Sequence, residues 1–179
     1  MDLEVACCDN PGFKNDLCKQ LGQCWNLQTL DMSGCSHIDD QGIVALSKGE
    51  VQLRAGLPST NPGLIKMISC KLGNIKLTDY GLTNLVKACP NLQHLELQRT
   101  QLDESGFKLF VKELPQLSFL DLTSVPGVTV AILEEIKQKK PGLTLRQYRT
   151  DKYDPKDNGL RVPRRIIEKE KKKKKGKKK

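Results

Sequence analysis

The chain has 179 residues, of which 37% are hydrophobic, 4% aromatic and 28% charged, with a formal net charge of +9. That length supports one domain with a real core, and so few aromatics fit an aliphatic interior. No apolar run approaches the roughly 18 residues of a membrane span, and Met1-Asp2-Leu3-Glu4 lacks the basic start and apolar stretch of a signal peptide, which points to a cytoplasmic or nuclear protein.

From the N-terminus onward, an apolar-polar-apolar strand signature recurs as Leu3-Glu4-Val5, Leu30-Asp31-Met32, Leu95-Glu96-Leu97, Leu120-Asp121-Leu122 and Leu143-Thr144-Leu145. The first residues lie 27, 65, 25 and 23 positions apart. The stretch Cys24-Trp25-Asn26-Leu27-Gln28-Thr29-Leu30-Asp31-Met32, continued by Ile38-Asp39-Asp40-Gln41-Gly42-Ile43, returns in degraded form as Cys89-Pro90-Asn91-Leu92-Gln93-His94-Leu95-Glu96-Leu97 and Leu102-Asp103-Glu104-Ser105-Gly106-Phe107. Self-similarity at such a spacing marks stacked units, each a short strand, a turn and an amphipathic helix that cannot bury its apolar face alone.

The gap of 65 must hold a further unit. Its apolar run is Leu64 to Cys70 and its helix start is Leu77-Thr78-Asp79. Two strand registers fit: Ile65-Lys66-Met67, which sets Cys70 opposite Cys35, or Ile68-Ser69-Cys70. About five units result, spanning residues 1–146, with a Gly- and Pro-rich insertion at 47–63 and an exit segment at 147–160. The expected fold is therefore α/β, a short horseshoe with parallel strands on the concave face and helices on the convex face.

Within it, Leu27, Leu30, Met32, Ile38, Ile43 and Leu46 point into the core, where each fully buried side chain contributes about 1.5–3 kcal/mol. Asp39-Asp40, Thr78-Asp79 and Asp103-Glu104-Ser105 place short polar side chains where helix N-termini need acceptors. Gly42, Gly81 and Gly106 recur just inside the same helices and imply close packing against the neighbouring unit. No polar cap precedes the first strand, as in a piece or shortened form of a longer protein, or in a first unit that rests on a partner.

Seven cysteines, an odd number without a Cys-x-x-Cys pair, recur at repeat positions: Cys24 with Cys89, Cys8 with Cys35. That pattern describes buried structural thiols and gives no metal ligand set or disulfide framework. Only two histidines are present, His37 and His94, and no nucleophile–base order or phosphate-binding loop accompanies them, so neither catalysis nor a cofactor is expected.

Function falls to surfaces. The residue between two inward apolar positions points outward on the concave face, giving a column of Glu4, Asp31, then Ser69 or Lys66, Glu96, Asp121 and Thr144. Thr29, Ser33, His94, Gln98, Phe119 and Thr123 flank it. Four acids in one column read as a stripe that accepts a basic segment of a protein partner.

The tail, residues 161–179, carries 12 basic and 2 acidic residues, a net of +10 that leaves −1 for the rest of the chain. Arg164, Arg165, Lys171, Lys172, Lys173, Lys174, Lys175, Lys177, Lys178 and Lys179 form a block of like charge too repulsive to fold on itself. It suits a nuclear address or an anchor for an acidic partner: nucleic acid, acidic protein or membrane surface.

The segment from Cys24 to Leu46 resembles the cysteine-containing leucine-rich repeats of F-box substrate receptors in Skp-cullin-F-box ubiquitin ligases. The resemblance covers roughly residues 3–145, without an F-box ahead of them. It implies a leucine-rich repeat solenoid and a non-catalytic protein-interaction module for substrate recognition. Alternatives are a nuclear or ribonucleoprotein-associated component held by its basic tail, and a scaffold subunit of a larger assembly such as a ciliary complex.

Overall fold

A computed structural model describes residues 2–4, 14–24, 26–48, 64–149 and 164–165. Six three-residue strands stand side by side in chain order, all parallel: β1 (Asp2–Glu4), β2 (Thr29–Asp31), β3 (Ser69–Lys71), β4 (His94–Glu96), β5 (Phe119–Asp121) and β6 (Thr144–Arg146). Parallel neighbours need a crossover between them. It is supplied by α1 (Asn15–Leu21), α2 (Asp40–Lys48), α3 (Asp79–Ala88), α4 (Glu104–Glu113) and α5 (Val130–Lys139).

Register follows from the inward column Leu3, Leu30, Cys70, Leu95, Leu120 and Leu145, whose members pair across the whole sheet. The core lies between sheet and helices, and the six core residues expected in the first complete unit, from Leu27 to Leu46, are all at most 1% exposed. A second inward column of Met32, Leu72, Leu97 and Leu122 is fully buried as well.

The ladder continues past the strands into a turn. Gly34 N donates to Gly73 O, Asn74 N to Gln98 O and Arg99 N to Thr123 O. The residue at this step has positive φ in four units: Gly34 (79°), Asn74 (61°), Arg99 (57°) and Ser124 (58°). Glycine and asparagine tolerate that region; arginine is held there by the neighbouring unit's carbonyl.

Both expected registers of the third unit are corrected. Its strand is Ser69-Cys70-Lys71, so Cys70 matches Leu30 rather than Cys35, and the outward residue is Lys71 rather than Ser69 or Lys66. The run Leu64 to Met67 instead forms the turn before the strand, where Met67 N donates to Leu64 O as Leu27 N does to Cys24 O and Leu92 N to Cys89 O.

The last unit is also shifted: Leu145 pairs with Leu120, so Arg146 is the outward residue and Thr144 belongs to the flanking column. Leu143 closes the turn onto Lys140 O. Gln147, buried at 6% exposure, takes the second inward position, which breaks the apolar-polar-apolar spelling of this strand.

Along the inward column the steps from Cys70 to Leu95, Leu95 to Leu120 and Leu120 to Leu145 are equal, and the step from Leu30 to Cys70 is longer by the insertion. That insertion is shorter than 47–63, because Ser47 and Lys48 complete α2; residues 49–63 lie outside the described part. In the tail, Arg164–Arg165 form a two-residue strand (β8) antiparallel to β7 (Tyr148–Arg149), so the span read as structureless contains one short pairing. Its remaining residues, including the lysine block, lie outside the described part, as do Cys7 and Cys8.

Helix N-termini are tied to the preceding unit. Asn15 Nδ2 donates to Asp39 Oδ1 at 2.9 Å. Asp40 accepts from the N–H and hydroxyl of Thr78 at 2.8 and 2.5 Å. Asp79 accepts from the N–H groups of Asp103 (3.1 Å) and Gly106 (2.9 Å) and from the Ser105 hydroxyl. Thr78 and Asp103 also cap their own helices, as expected. The recurrent glycines make room for this cross-unit contact: a Cβ at Gly81 would collide with Asp40 Oδ1, and one at Gly106 with Asp79 Oδ1. Gly81→Ala should therefore push Asp40 off the start of α3 and cost about 1–3 kcal/mol, and Leu95→Ala about 2–5 kcal/mol. Chemical denaturation of both variants checks the two costs.

Candidate functional site

Three columns of side chains cross the concave sheet. The central one is Glu4, Asp31, Lys71, Glu96, Asp121 and Arg146. On one side stand Asp2, Thr29, Ser69, His94, Phe119 and Thr144 in matching register. On the other, the ladder into the turn places Ser33, Gly73, Gln98 and Thr123. The expected concave residues thus lie on this face, with Ser69 and Thr144 moved from the central column to the flank. Lys66, the other outward residue expected in the third unit, sits before the strand, its Nζ 2.7 Å from Asn26 Oδ1.

Two cations missed by the sequence reading alter the electrostatics. Lys71 Nζ lies 3.6 Å from Asp31 and 3.9 Å from Glu96, and Arg146 lies 3.5 Å from Asp121. Stepping one repeat back from Leu95-Glu96, or one repeat forward from Leu120-Asp121, would have found both. The column is not an uninterrupted acidic stripe: two acids, one base, two acids, one base.

Its C-terminal half is a connected network. His94 Nε2 is 2.8 Å from Glu96 Oε1, while Gln98 Nε2 donates to Glu96 Oε2 at 2.8 Å and to Asp121 Oδ2 at 3.4 Å. Asp121 is 2% exposed, with Gln98 Nε2 and the Arg146 guanidinium as neighbours of its carboxylate. Partial burial pushes the Glu96 carboxyl up, but hydrogen bonds from His94 and Gln98 and the nearby Lys71 charge outweigh it and hold the group below its ordinary value. The His94 ring stacks on Phe119 at 4.2 Å and 4°, and the Arg146 guanidinium sits 5.2 Å from the Phe119 centroid. An ordered His-Phe-Arg stack crosses three adjacent strands. Such stacks form rigid, amphipathic contact area.

Next to this network, Gln98 Oε1 and Thr123 Oγ1 are shielded from solvent without a hydrogen-bond partner. The N-terminal half differs. Thr29 Oγ1 donates to Asp2 Oδ1 at 2.6 Å and Ser33 N to Asp31 Oδ1 at 2.9 Å, with Lys71 as the neighbouring cation.

The described cysteines are free thiols; Cys18, Cys35, Cys70 and Cys89 are buried and Cys24 half-buried. Burial pushes the Cys18 and Cys89 thiols up to about 12 and Cys70 well above its ordinary value. Among the described residues no group of three or more His, Cys, Asp or Glu could hold a metal ion, and no helix is long and apolar enough to cross a membrane.

Residues 23–47 match the family model described as leucine-rich repeat. The sequence matches none of the curated proteins compared with it. Among solved structures, the fold is similar to leiomodin-1 actin-binding site 2, at TM-score 0.58 and 12% identity over 79% of each chain. It is also similar to a chain in the yeast Rad7–Elc1 complex, at TM-score 0.50 and 17% identity, covering 85% of this chain and 44% of that one. This chain therefore spans less than half of that relative. Together with the parallel sheet and its helices, these likenesses establish an α/β leucine-rich repeat solenoid.

Two outcomes follow. Because folding lowers the Glu96 titration, its ionised form adds stability above the unfolded value, about pH 4.3, and the addition is lost as pH falls through the lower folded value. The stability difference between the native protein and Glu96→Gln should be constant near neutrality and shrink below about pH 4.3 in urea titrations. For the thiols, a maleimide reagent should label Cys24 before Cys18, Cys70 and Cys89 in the native protein, and all of them at once in denaturant.

Proposed function

We propose that this chain is a non-catalytic interaction module whose concave sheet holds a protein partner, centred on the His94–Phe119–Arg146 stack. The observation that carries the reading is that stack, which joins side chains of β4, β5 and β6 on the concave face. Aromatic and arginine side chains held rigid on a surface are what protein interfaces use as anchors.

The narrower role we assign is substrate recognition linked to a ubiquitin ligase, in a cytoplasmic or nuclear setting. The cysteine-containing repeat from Cys24 to Leu46 supports it. The lysine block would act as an address or as a second, electrostatic contact.

A photo-crosslinker placed at Gln98 should capture the partner, and one at Lys87 on α3 should not. Phe119→Ala should weaken partner binding about tenfold or more while the helical content is retained. Capture from Lys87 alone would overturn the concave reading. Co-purification with Skp-type and cullin subunits tests the ligase role, and a set of ribonucleoproteins in their place would defeat it.

A further inference from the structure

The seams between helices stop one unit short of the last. At the first position of α1, α2 and α3, Asn15, Asp40 and Asp79 reach the N-terminus of the following helix, and that helix admits them with a glycine at its third position: Gly42, Gly81 and Gly106. Between α4 and α5 both parts are replaced. Glu104 holds the first position of α4, and its side chain, 72% exposed, pairs with Lys108 of its own helix at 3.4 Å. Ile132 holds the glycine's position in α5, and Thr129 caps that helix from within, accepting from Ile132 N at 3.3 Å. Among the described residues no side-chain hydrogen bond joins the starts of these two helices; a cleft lined by Glu104, Phe107, Lys108, Ile132, Glu135 and Ile136 lies between them.

The core thins at the same place. Cys70, Leu95 and Leu120 of the inward column are fully buried, whereas Leu145 is only partly so. The second inward column runs Met32, Leu72, Leu97, Leu122 and then Gln147, whose Oε1 is shielded from solvent without a hydrogen-bond partner. A buried oxygen left unpaired opposes the packed state by its desolvation cost. The unit is held by the packing of Leu133 and Ile136 and by the β5–β6 ladder, where Leu122 N donates to Arg146 O at 2.9 Å and Thr144 N to Ser118 O at 2.8 Å. At the far end of α5, Lys140 Nζ donates to Leu114 O at 2.6 Å and lies 3.5 Å from Pro115 O.

This weakly joined unit carries Arg146, whose guanidinium sits over Phe119 and 3.5 Å from the Asp121 carboxylate. We propose that α5 and β6 open together as one unit ahead of the rest of the solenoid, so that the concave face alternates between a closed form with Arg146 over Phe119 and an open form that lacks it. Repeat arrays are held by the interfaces between neighbours. An interface without its seam yields before those that keep theirs, and the elements beyond it open as a group. In the open form Phe119 and Asp121 lose their cover from β6, and the His94–Phe119 pair loses its third member. The opening is independent of any partner. Where the concave face holds one, as proposed above, a partner seated on Arg146 favours the closed form.

Native-state hydrogen exchange of the full chain tests this. The amides of Leu122, Leu133, Lys140, Leu143 and Thr144 donate within this unit or across its edge. They should share one opening equilibrium and be protected about tenfold or more below those of Met32, Leu72 and Leu97 in the sheet. Asp79→Ala, which removes the seam between α3 and α4, should speed exchange at Met32, Leu72 and Leu97 about fivefold or more and leave the first group unchanged, because opening of the last unit does not break that seam. Gln147→Leu, which returns an apolar side chain to the second inward column, should slow the first group about fivefold or more. Equal protection of the two groups, equal acceleration of both by Asp79→Ala, or no slowing by Gln147→Leu would each overturn the proposal.

Discussion

No unit of this chain can bury its own apolar face, and the rest of the structure answers that constraint. A three-residue strand and a helix of at most ten residues enclose half a core; the other half comes from the units on either side. The inward column from Leu3 to Leu145 therefore determines everything around it. Once those side chains are aligned, the outward residue of each strand has no choice of neighbour. A slip of one residue would turn the core face toward solvent.

The same alignment builds the connections between units. With strands in register, the first residue of one helix falls beside the N-terminus of the next, where Asn15, Asp40 and Asp79 meet orphan backbone donors. Glycine two residues into α2, α3 and α4 leaves space for them. The Asp79 carboxyl is raised, first by its partial burial and then by the hydrogen bond with Asp103. These contacts join charge to packing: an acidic side chain that looks like an ordinary cap is also the seam between repeats.

On the concave side, alignment converts an apparent acidic stripe into a graded surface. Lys71 and Arg146 divide the acids, and the His94–Phe119 stack occupies the strands between them. One end is a connected network around Glu96 and the His94–Phe119 stack. The other retains net negative charge.

The sequence by itself determined the architecture, because a short regular period with leucines at strand spacing admits only stacked parallel units. It also determined most of the concave roster: Thr29, His94, Phe119, Asp121 and their neighbours were legible from periodicity alone. The tertiary structure decided register wherever the spelling lapsed. Cys70 stands in for a leucine and Gln147 for another, so the pattern pointed to Ser69 or Lys66 and to Thr144, while backbone pairing selected Lys71 and Arg146. Arg99 likewise gives no local sign of positive φ; a neighbouring carbonyl imposes it. The physical reason is common to all of these. A repeat motif is a local preference of about 1 kcal/mol per substituted position, whereas the ladder between strands is cooperative across the sheet, and a polar or small residue at one inward site cannot shift it.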